Sequence, residues 1–165
     1  MKKLKNILLA LIAVVFVMPV AVLFAGCANK EEGTYQVVEV VASFEEDYSE
    51  ADFRYFAGLY EIEGDYDADT ITREEFLEFY SDFVRANRAE TDMILLKAGR
   101  KITYVFDEGE IDGTYVVKGK KLTATFTFED PDDKYVMTLT KCADGRLMLE
   151  ERESGRIIKI YFEKI

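Results

Sequence analysis

Gly113-Thr114-Tyr115-Val116-Val117-Lys118-Gly119-Lys120-Lys121-Leu122-Thr123-Ala124-Thr125-Phe126-Thr127-Phe128 is the stretch on which the fold turns. Leu122, Ala124, Phe126 and Phe128 alternate with Lys121, Thr123, Thr125 and Thr127, which gives one apolar and one polar face at a period of two. A second extended run, Tyr115–Lys118, precedes it. Lys118-Gly119 suits a tight primed turn between the two, because glycine accepts a positive φ without a steric penalty. The stretch therefore predicts an antiparallel hairpin.

The same pattern extends on both sides. Met93–Lys97 is a short apolar run, and Ile102, Tyr104 and Phe106 then alternate with Lys101, Thr103 and Val105. Downstream, Tyr135, Met137 and Leu139 keep the period, followed by Leu147 and Leu149, then by Ile158, Ile160 and Phe162. Glycines at 99, 109, 119, 145 and 155 and the Asp-Pro-Asp-Asp run at 130–133 separate the segments, with Asp144-Gly145 as a second primed-turn candidate. Seven strands result. Gly33–Phe44, rich in β-branched residues, supplies an eighth. It is apolar on both faces over Val37–Val41, which predicts that something covers its outer side.

Between that first strand and the meander the period becomes helical. Ser49 with Asp52 marks one start, with Tyr48 placed to staple onto Phe53; Phe53, Phe56, Ala57 and Tyr60 share a face. Thr72 with Glu75 makes a capping box and Ile71 with Phe76 a staple, after which Phe76, Phe79, Tyr80 and Phe83 line one stripe. Aromatic stripes at this spacing are core contacts. The predicted fold is mainly β with a helical pair: an eight-stranded antiparallel up-and-down barrel with two helices inserted after strand 1 and capping one open end. Closure removes the exposed edges that an open sheet of eight strands would keep. A sheet packed against two helices is the alternative.

The first 26 residues read differently. Lys2, Lys3 and Lys5 form a positive head, Ile7 to Ala25 carries no charge, and Phe24-Ala25-Gly26-Cys27 ends the run. A charged head, an apolar core and small residues before a cut describe a secretory signal peptide. The small residues followed by cysteine resemble the lipobox of bacterial lipoproteins, with Phe24 where that family usually has Leu. The resemblance implies lipid attachment at Cys27 and an extracytoplasmic, membrane-tethered protein. Three segments are expected: 1–26 a lipoprotein signal peptide, 27–32 a lipidated tether, and 33–165 the barrel, with its helical insertion at about 49–88. Without the three leader lysines, 18 basic residues face 32 acidic ones, a net charge of −14 over 139 residues. Such a surface argues against nucleic acid as a partner.

Gly33-Thr34-Tyr35 opening the first strand, the run Gly113–Leu122, and the closing Ile158-Lys159-Ile160-Tyr161-Phe162-Glu163-Lys164 together resemble the lipocalin-like (calycin) superfamily. More narrowly they resemble small bacterial lipoproteins with a lipocalin-like domain. Tyr35 stands where lipocalins carry Trp, and their Thr-Asp-Tyr motif does not appear. The helical pair after strand 1 is similar to the lid of the fatty-acid-binding branch. That branch grips a carboxylate with an Arg-x-Tyr pair on its last strand, at positions matched here by Lys159 and Tyr161. If Ile158, Ile160 and Phe162 face inward, however, Lys159 and Tyr161 face water.

Chemistry has little to work with. The chain contains no histidine, the commonest general base and transition-metal ligand. Asp65-Tyr66-Asp67-Ala68-Asp69-Thr70-Ile71-Thr72-Arg73-Glu74-Glu75-Phe76 resembles an EF-hand calcium loop but lacks the glycine at its sixth place, so Glu75 arrives one residue early. A solvated acidic loop followed by a helix cap accounts for the same residues. Cys142, with no histidine to lower its pKa, reads as a small filler. No catalytic residue, metal or cofactor is expected. The expected function is binding of a small apolar or amphipathic ligand by a membrane-anchored barrel, with Tyr104, Phe126, Tyr135 and Met137 lining the cavity. The alternative is a filled barrel whose acidic exterior meets a basic protein of the cell envelope.

Overall fold

Each strand pairs with its sequence neighbours and the last returns to the first. The strands are β1 (Gly33–Phe44), β2 (Met93–Lys97), β3 (Lys101–Phe106), β4 (Gly109–Lys118), β5 (Lys121–Thr127), β6 (Lys134–Lys141), β7 (Leu147–Glu153) and β8 (Arg156–Lys164). All eight pairings are antiparallel, so the sheet is a closed barrel. A computed structural model describes residues 30–107, 109–128 and 133–165. The leader, Cys27 and the Asp-Pro-Asp run at 130–132 lie outside the described residues.

The hairpins follow from their turn residues. Lys118 pairs with Lys121 around Gly119-Lys120, and Glu153 pairs with Arg156 around Ser154-Gly155, both of which have positive φ. The Asp144-Gly145 turn is not a two-residue hairpin. It sits inside a longer connection, residues 142–146, because Lys141 pairs with Leu147 and the Cys142 N–H donates to the Arg146 carbonyl at 2.9 Å.

β1 corrects the expectation of a covered outer face. Val37 pairs with Phe162 and Glu39 with Tyr161, which leaves Val38 as the extra residue of a β-bulge. The bulge resets the alternation. Val37 and Val40 both point inward, while Val38 and Val41 are exposed. An apolar run on two faces here records a change of register, not a second packing layer.

The insertion holds three helices rather than two: α1 (Glu50–Gly58), α2 (Glu61–Gly64) and α3 (Arg73–Ala89). The single turn α2 falls within the acidic run, ends at Asp65 in the left-handed region (φ 49°), and is followed by Tyr66, whose hydroxyl donates to the Ala57 carbonyl at 2.7 Å. α1 is capped by the Ser49 hydroxyl, which accepts from the Asp52 N–H at 3.1 Å, while Tyr48 stacks on Phe44 with ring centroids 4.5 Å apart. α3 opens on the full capping box. The Glu75 N–H donates to Thr72 Oγ1 at 3.2 Å and the Thr72 N–H to Glu75 Oε2 at 3.0 Å.

Hydrogen bonds from the Thr72 hydroxyl and backbone hold the Glu75 carboxyl below its ordinary value of 4.5. A lowered folded value stabilises the fold above the unfolded pKa, and that benefit is lost as the pH falls through the folded one. As the loss of an N-cap, Thr72→Ala is expected to cost about 1 kcal/mol at pH 7. The difference from wild type should narrow on acidification below about pH 4. Urea melts of both proteins at pH 7 and pH 3.5 check this; a pH-independent difference would remove Glu75 from the account.

Two apolar clusters fill the molecule. The first is the barrel interior, from Tyr35, Val37 and Val40 on β1 round to Ile160 and Phe162 on β8. Gly113 gives this interior one of its large rings. A Cβ there would fall on the Thr125 carbonyl oxygen and 2.8 Å from the Phe126 ring, so only a glycine lets that ring lie against β4. The second cluster joins Phe53, Phe56, Ala57, Phe76 and Tyr80 of the helices to Ala42, Phe44 and Ile158. Those three share the inward register of Val40 and Ile160. The helices thus close one end of the barrel, and Val84 of α3 touches both clusters. The Ala42 N–H donates to Ser81 Oγ of α3 at 2.9 Å, pinning that helix to β1.

Candidate functional site

The helix-capped end is where polar chemistry meets the interior. The inward register of β7 runs Leu147, Leu149, Glu151, and Asp92 continues the inward register of Leu96 and Ile94 on β2. Two carboxylates are thereby set into the rim of an apolar barrel. The last turn of α3 carries Arg88 to them. Its two terminal nitrogens donate to the two Glu151 oxygens at 3.0 and 2.9 Å, a bidentate pair, and Nη1 lies 3.5 Å from Asp92 Oδ2.

Asp92 is buried, and it accepts hydrogen bonds from the Tyr104 hydroxyl at 2.6 Å and the Thr91 hydroxyl at 2.9 Å. An open cleft of about 900 Å³ runs along these groups, with Phe106 and Asp107 on its wall. Burial alone would weaken the Arg88 charge. The hydrogen bonds and attraction of Glu151, with Asp92 adding to them, outweigh burial and raise the Arg88 pKa. Burial, reinforced by the bond to Asp92, keeps the Tyr104 phenol protonated well beyond its usual range. Burial also raises Tyr135, with Glu151 adding to the shift and Arg88 opposing it.

The four ligand-lining residues expected from sequence divide into two pairs. Phe126 has no accessible surface and so touches no space wide enough for a water, and Met137 keeps only 2 % of its surface accessible. Tyr104 is half-buried at the rim. Tyr135 is 43 % exposed, because it stands one residue into β6, where the wall ends, and it stacks on Phe126 with ring centroids 5.9 Å apart. The expected cavity between them is occupied by their own rings: Tyr104 lies 6.5 Å from Phe126. Cys27, the expected lipid site, lies outside the described residues.

Sequence reasoning passed over Arg88, Asp92 and Glu151. One signal for them was available, since the period that sends Leu147 and Leu149 inward also sends Glu151 there, and an inward carboxylate needs a cation.

Other candidates resolve into structural roles. Lys159 and Tyr161 sit on the outer face, with Lys159 Nζ 4.0 Å from Glu150 and the Arg146 guanidinium 4.7 Å from the Tyr161 ring. They form no carboxylate grip inside the barrel. The loop at 65–75 spends its ligand atoms on itself: Asp67 Oδ1 accepts the Asp69 N–H at 2.8 Å, and Glu75 is held by Thr72. Among the described residues no group of three or more His, Cys, Asp or Glu is placed to hold a metal ion. Lys97 Nζ donates to Thr103 Oγ1 at 2.7 Å, and Thr103 donates to Asp112, but Thr103 is buried and its hydroxyl meets no solvent. No helix among the described residues is long and apolar enough to cross a membrane.

No protein-family model and no curated protein matches the chain. Among solved structures, the crystal structure of a DUF4847 family protein from Bacteroides vulgatus ATCC 8482 is similar in fold. The alignment covers 82% of this chain and 95% of that one, at 14% sequence identity and a TM-score of 0.41.

Proposed function

We propose that the chain is a lipid-anchored extracytoplasmic lipoprotein, and that its barrel is a solid platform for contacts with another envelope protein. One observation carries the second half. Ile94, Ile102, Leu122, Ala124, Phe126, Leu139, Ile160 and Phe162 all have zero accessible surface, so the space a lipocalin-type carrier keeps for its ligand is taken up by side chains. The anchoring half rests on the leader's charge and hydropathy pattern and on Cys27 behind small residues. Catalysis has no part in the reading, and neither does a cofactor.

A second reading keeps the small amphipathic ligand but moves it from the interior to the rim. The open cleft beside Tyr104, Arg88 and Glu151 favours it. An anionic ligand there has to displace Glu151 from a bidentate pair, which a carboxylate does at little gain.

Thermal melts of the chain against a panel of fatty acids and apolar dyes separate the two. The platform reading expects no change in midpoint, whereas a ligand at 100 times its Kd would stabilise by about 2.7 kcal/mol. A shift of several degrees with any fatty acid would overturn the platform. In cells, Cys27→Ser is expected to abolish lipid labelling and cleavage at the lipobox. Labelling that persists in that variant would remove the lipid anchor from the proposal.

A further inference from the structure

The segment from Glu45 to Asp69 holds ten carboxylates against the single Arg54, a net −9 out of the −14 that remains once the leader lysines are removed. Arg54 is spent within the fold, on Glu50 at 2.8 Å and on the Ala68 and Ile71 carbonyls, both at 2.8 Å. Of the acids, Asp47, Asp52, Glu61, Glu63, Asp65, Asp67 and Asp69 form no ion pair among the described residues. Inside this acidic field lies an apolar stripe. Its members are Tyr55 on α1, Leu59 just past the end of α1 and Ile62 on the separate turn α2, while Phe53, Phe56 and Tyr60 pack in the core. They are 74, 56 and 92 % exposed. An open cleft of about 540 Å³ is lined by Tyr55 and Leu59 together with Asp47 and Asp52, and by Arg156, whose charge is paired with Glu153 at 3.4 Å.

Large apolar side chains exposed near one another inside a polar rim mark an interaction surface. The acidic rim selects what covers it. It repels anionic lipid, nucleic acid and a second copy of the same acidic face, and it attracts lysine and arginine.

We propose that the Tyr55–Leu59–Ile62 stripe is the docking surface of the platform, and that its occupant is a protein segment carrying lysine or arginine beside apolar residues. This rests on the platform reading above and gives it a location and a partner chemistry. The apolar residues of the segment would cover the stripe, where aromatic and aliphatic anchors concentrate binding energy. Its cations would meet Asp47 and Asp52 in the cleft and Glu61 and Glu63 beside Ile62. Charge sets the rate and the choice of partner; the stripe sets the lifetime of the complex.

The test uses the full chain in phosphatidylcholine nanodiscs and a labelled 14-residue leucine–lysine amphipathic peptide as probe. Binding is read by fluorescence anisotropy against empty discs and mapped by hydrogen exchange. The expected result is protection of amides within residues 45–64, with affinity lowered at least tenfold in the Tyr55→Ser/Leu59→Ser/Ile62→Ser variant. Asp47→Lys/Glu63→Lys should also weaken binding and flatten its salt dependence. These side chains are exposed, and an unchanged melting midpoint verifies that each variant folds.

Several results overturn the proposal. They are protection that maps elsewhere, a triple-serine variant that binds as tightly as wild type, and a 14-residue oligolysine that binds as well as the amphipathic probe. A stripe-dependent dimer in light scattering, or stripe-dependent burial in the disc without peptide, assigns the surface to a second copy or to lipid and likewise overturns it. In each case the platform reading survives if the fatty-acid melts stay flat. Only a shift in those melts removes the reading itself.

Discussion

Phe126→Ala is expected to lower the unfolding free energy by about 3–5 kcal/mol, the cost of removing a fully buried aromatic ring from a site that cannot collapse around the gap. The site is rigid for identifiable reasons. The ring lies against Gly113, is stacked on Tyr135 at 5.9 Å and stands 6.5 Å from Tyr104, all on strands whose register is fixed by closure of the barrel. The strands cannot move inward without breaking pairings on both sides. Denaturant melts should show a lower midpoint with an unchanged slope. Val116→Ala, on the exposed face of β4, should stay within about 0.5 kcal/mol of wild type.

The same substitution tests the platform in a second way. The hole left by Phe126 is lined by apolar side chains, and a dry apolar cavity of that size takes up small hydrocarbons. The variant should therefore gain thermal stability from benzene or a similar probe, while wild type does not. A loss below about 1 kcal/mol, or a wild type that responds to the probe as strongly as the variant, would mean that the interior is not packed as described.

Where the chain obeys one period at a time, the fold could be read directly. The Leu122–Phe126 alternation, the glycine-marked turns and the Thr72/Glu75 box correspond to β5, the hairpins and the start of α3, whereas Phe128, placed on the same face by its period, lies past the end of β5 and is exposed. The departures came where two rules overlap. In β1, Val37, Val38, Val40 and Val41 are all good strand residues, so composition cannot reveal the bulge that sends two of them outward; only pairing with β8 does. In α2, the residues of an acidic solvated loop are also sufficient for one helical turn once Tyr66 anchors it.

The packing at the expected ligand site was hidden for a different reason. Alternation says that Phe126 and Met137 point inward, but whether inward-pointing rings line a cavity or fill it depends on how facing strands interdigitate. No single strand carries that information. The rim network was hidden by distance along the chain, since Arg88 and Glu151 lie 63 residues apart and meet only because the helices close that particular end.

Arg88→Met is the substitution that asks how firmly that end is closed. It keeps most of the aliphatic stem, removes the cation, and leaves Glu151 and the buried Asp92 facing each other at the barrel rim. Breaking a fully buried pair in this way costs about 3–5 kcal/mol, and because both side chains of the Arg88–Glu151 pair keep roughly a third of their surface in water, about 2 kcal/mol is expected here. Adding Glu151→Gln should recover about 1 kcal/mol of that loss, since the second change removes one of the stranded charges; the double-mutant cycle isolates this coupling. The loss should also be visible locally. Arg88 is in the last turn of α3, so amide exchange across Phe83–Ala89 should quicken while the β4–β5 hairpin stays protected. A variant as stable as wild type, with a coupling under about 0.3 kcal/mol, would reduce the pair to an ordinary surface contact. The helical cap would then be held by the Phe53–Phe76 cluster, the Ser81 bond and Arg156 of β8 lying 4.3 Å over the Phe56 ring.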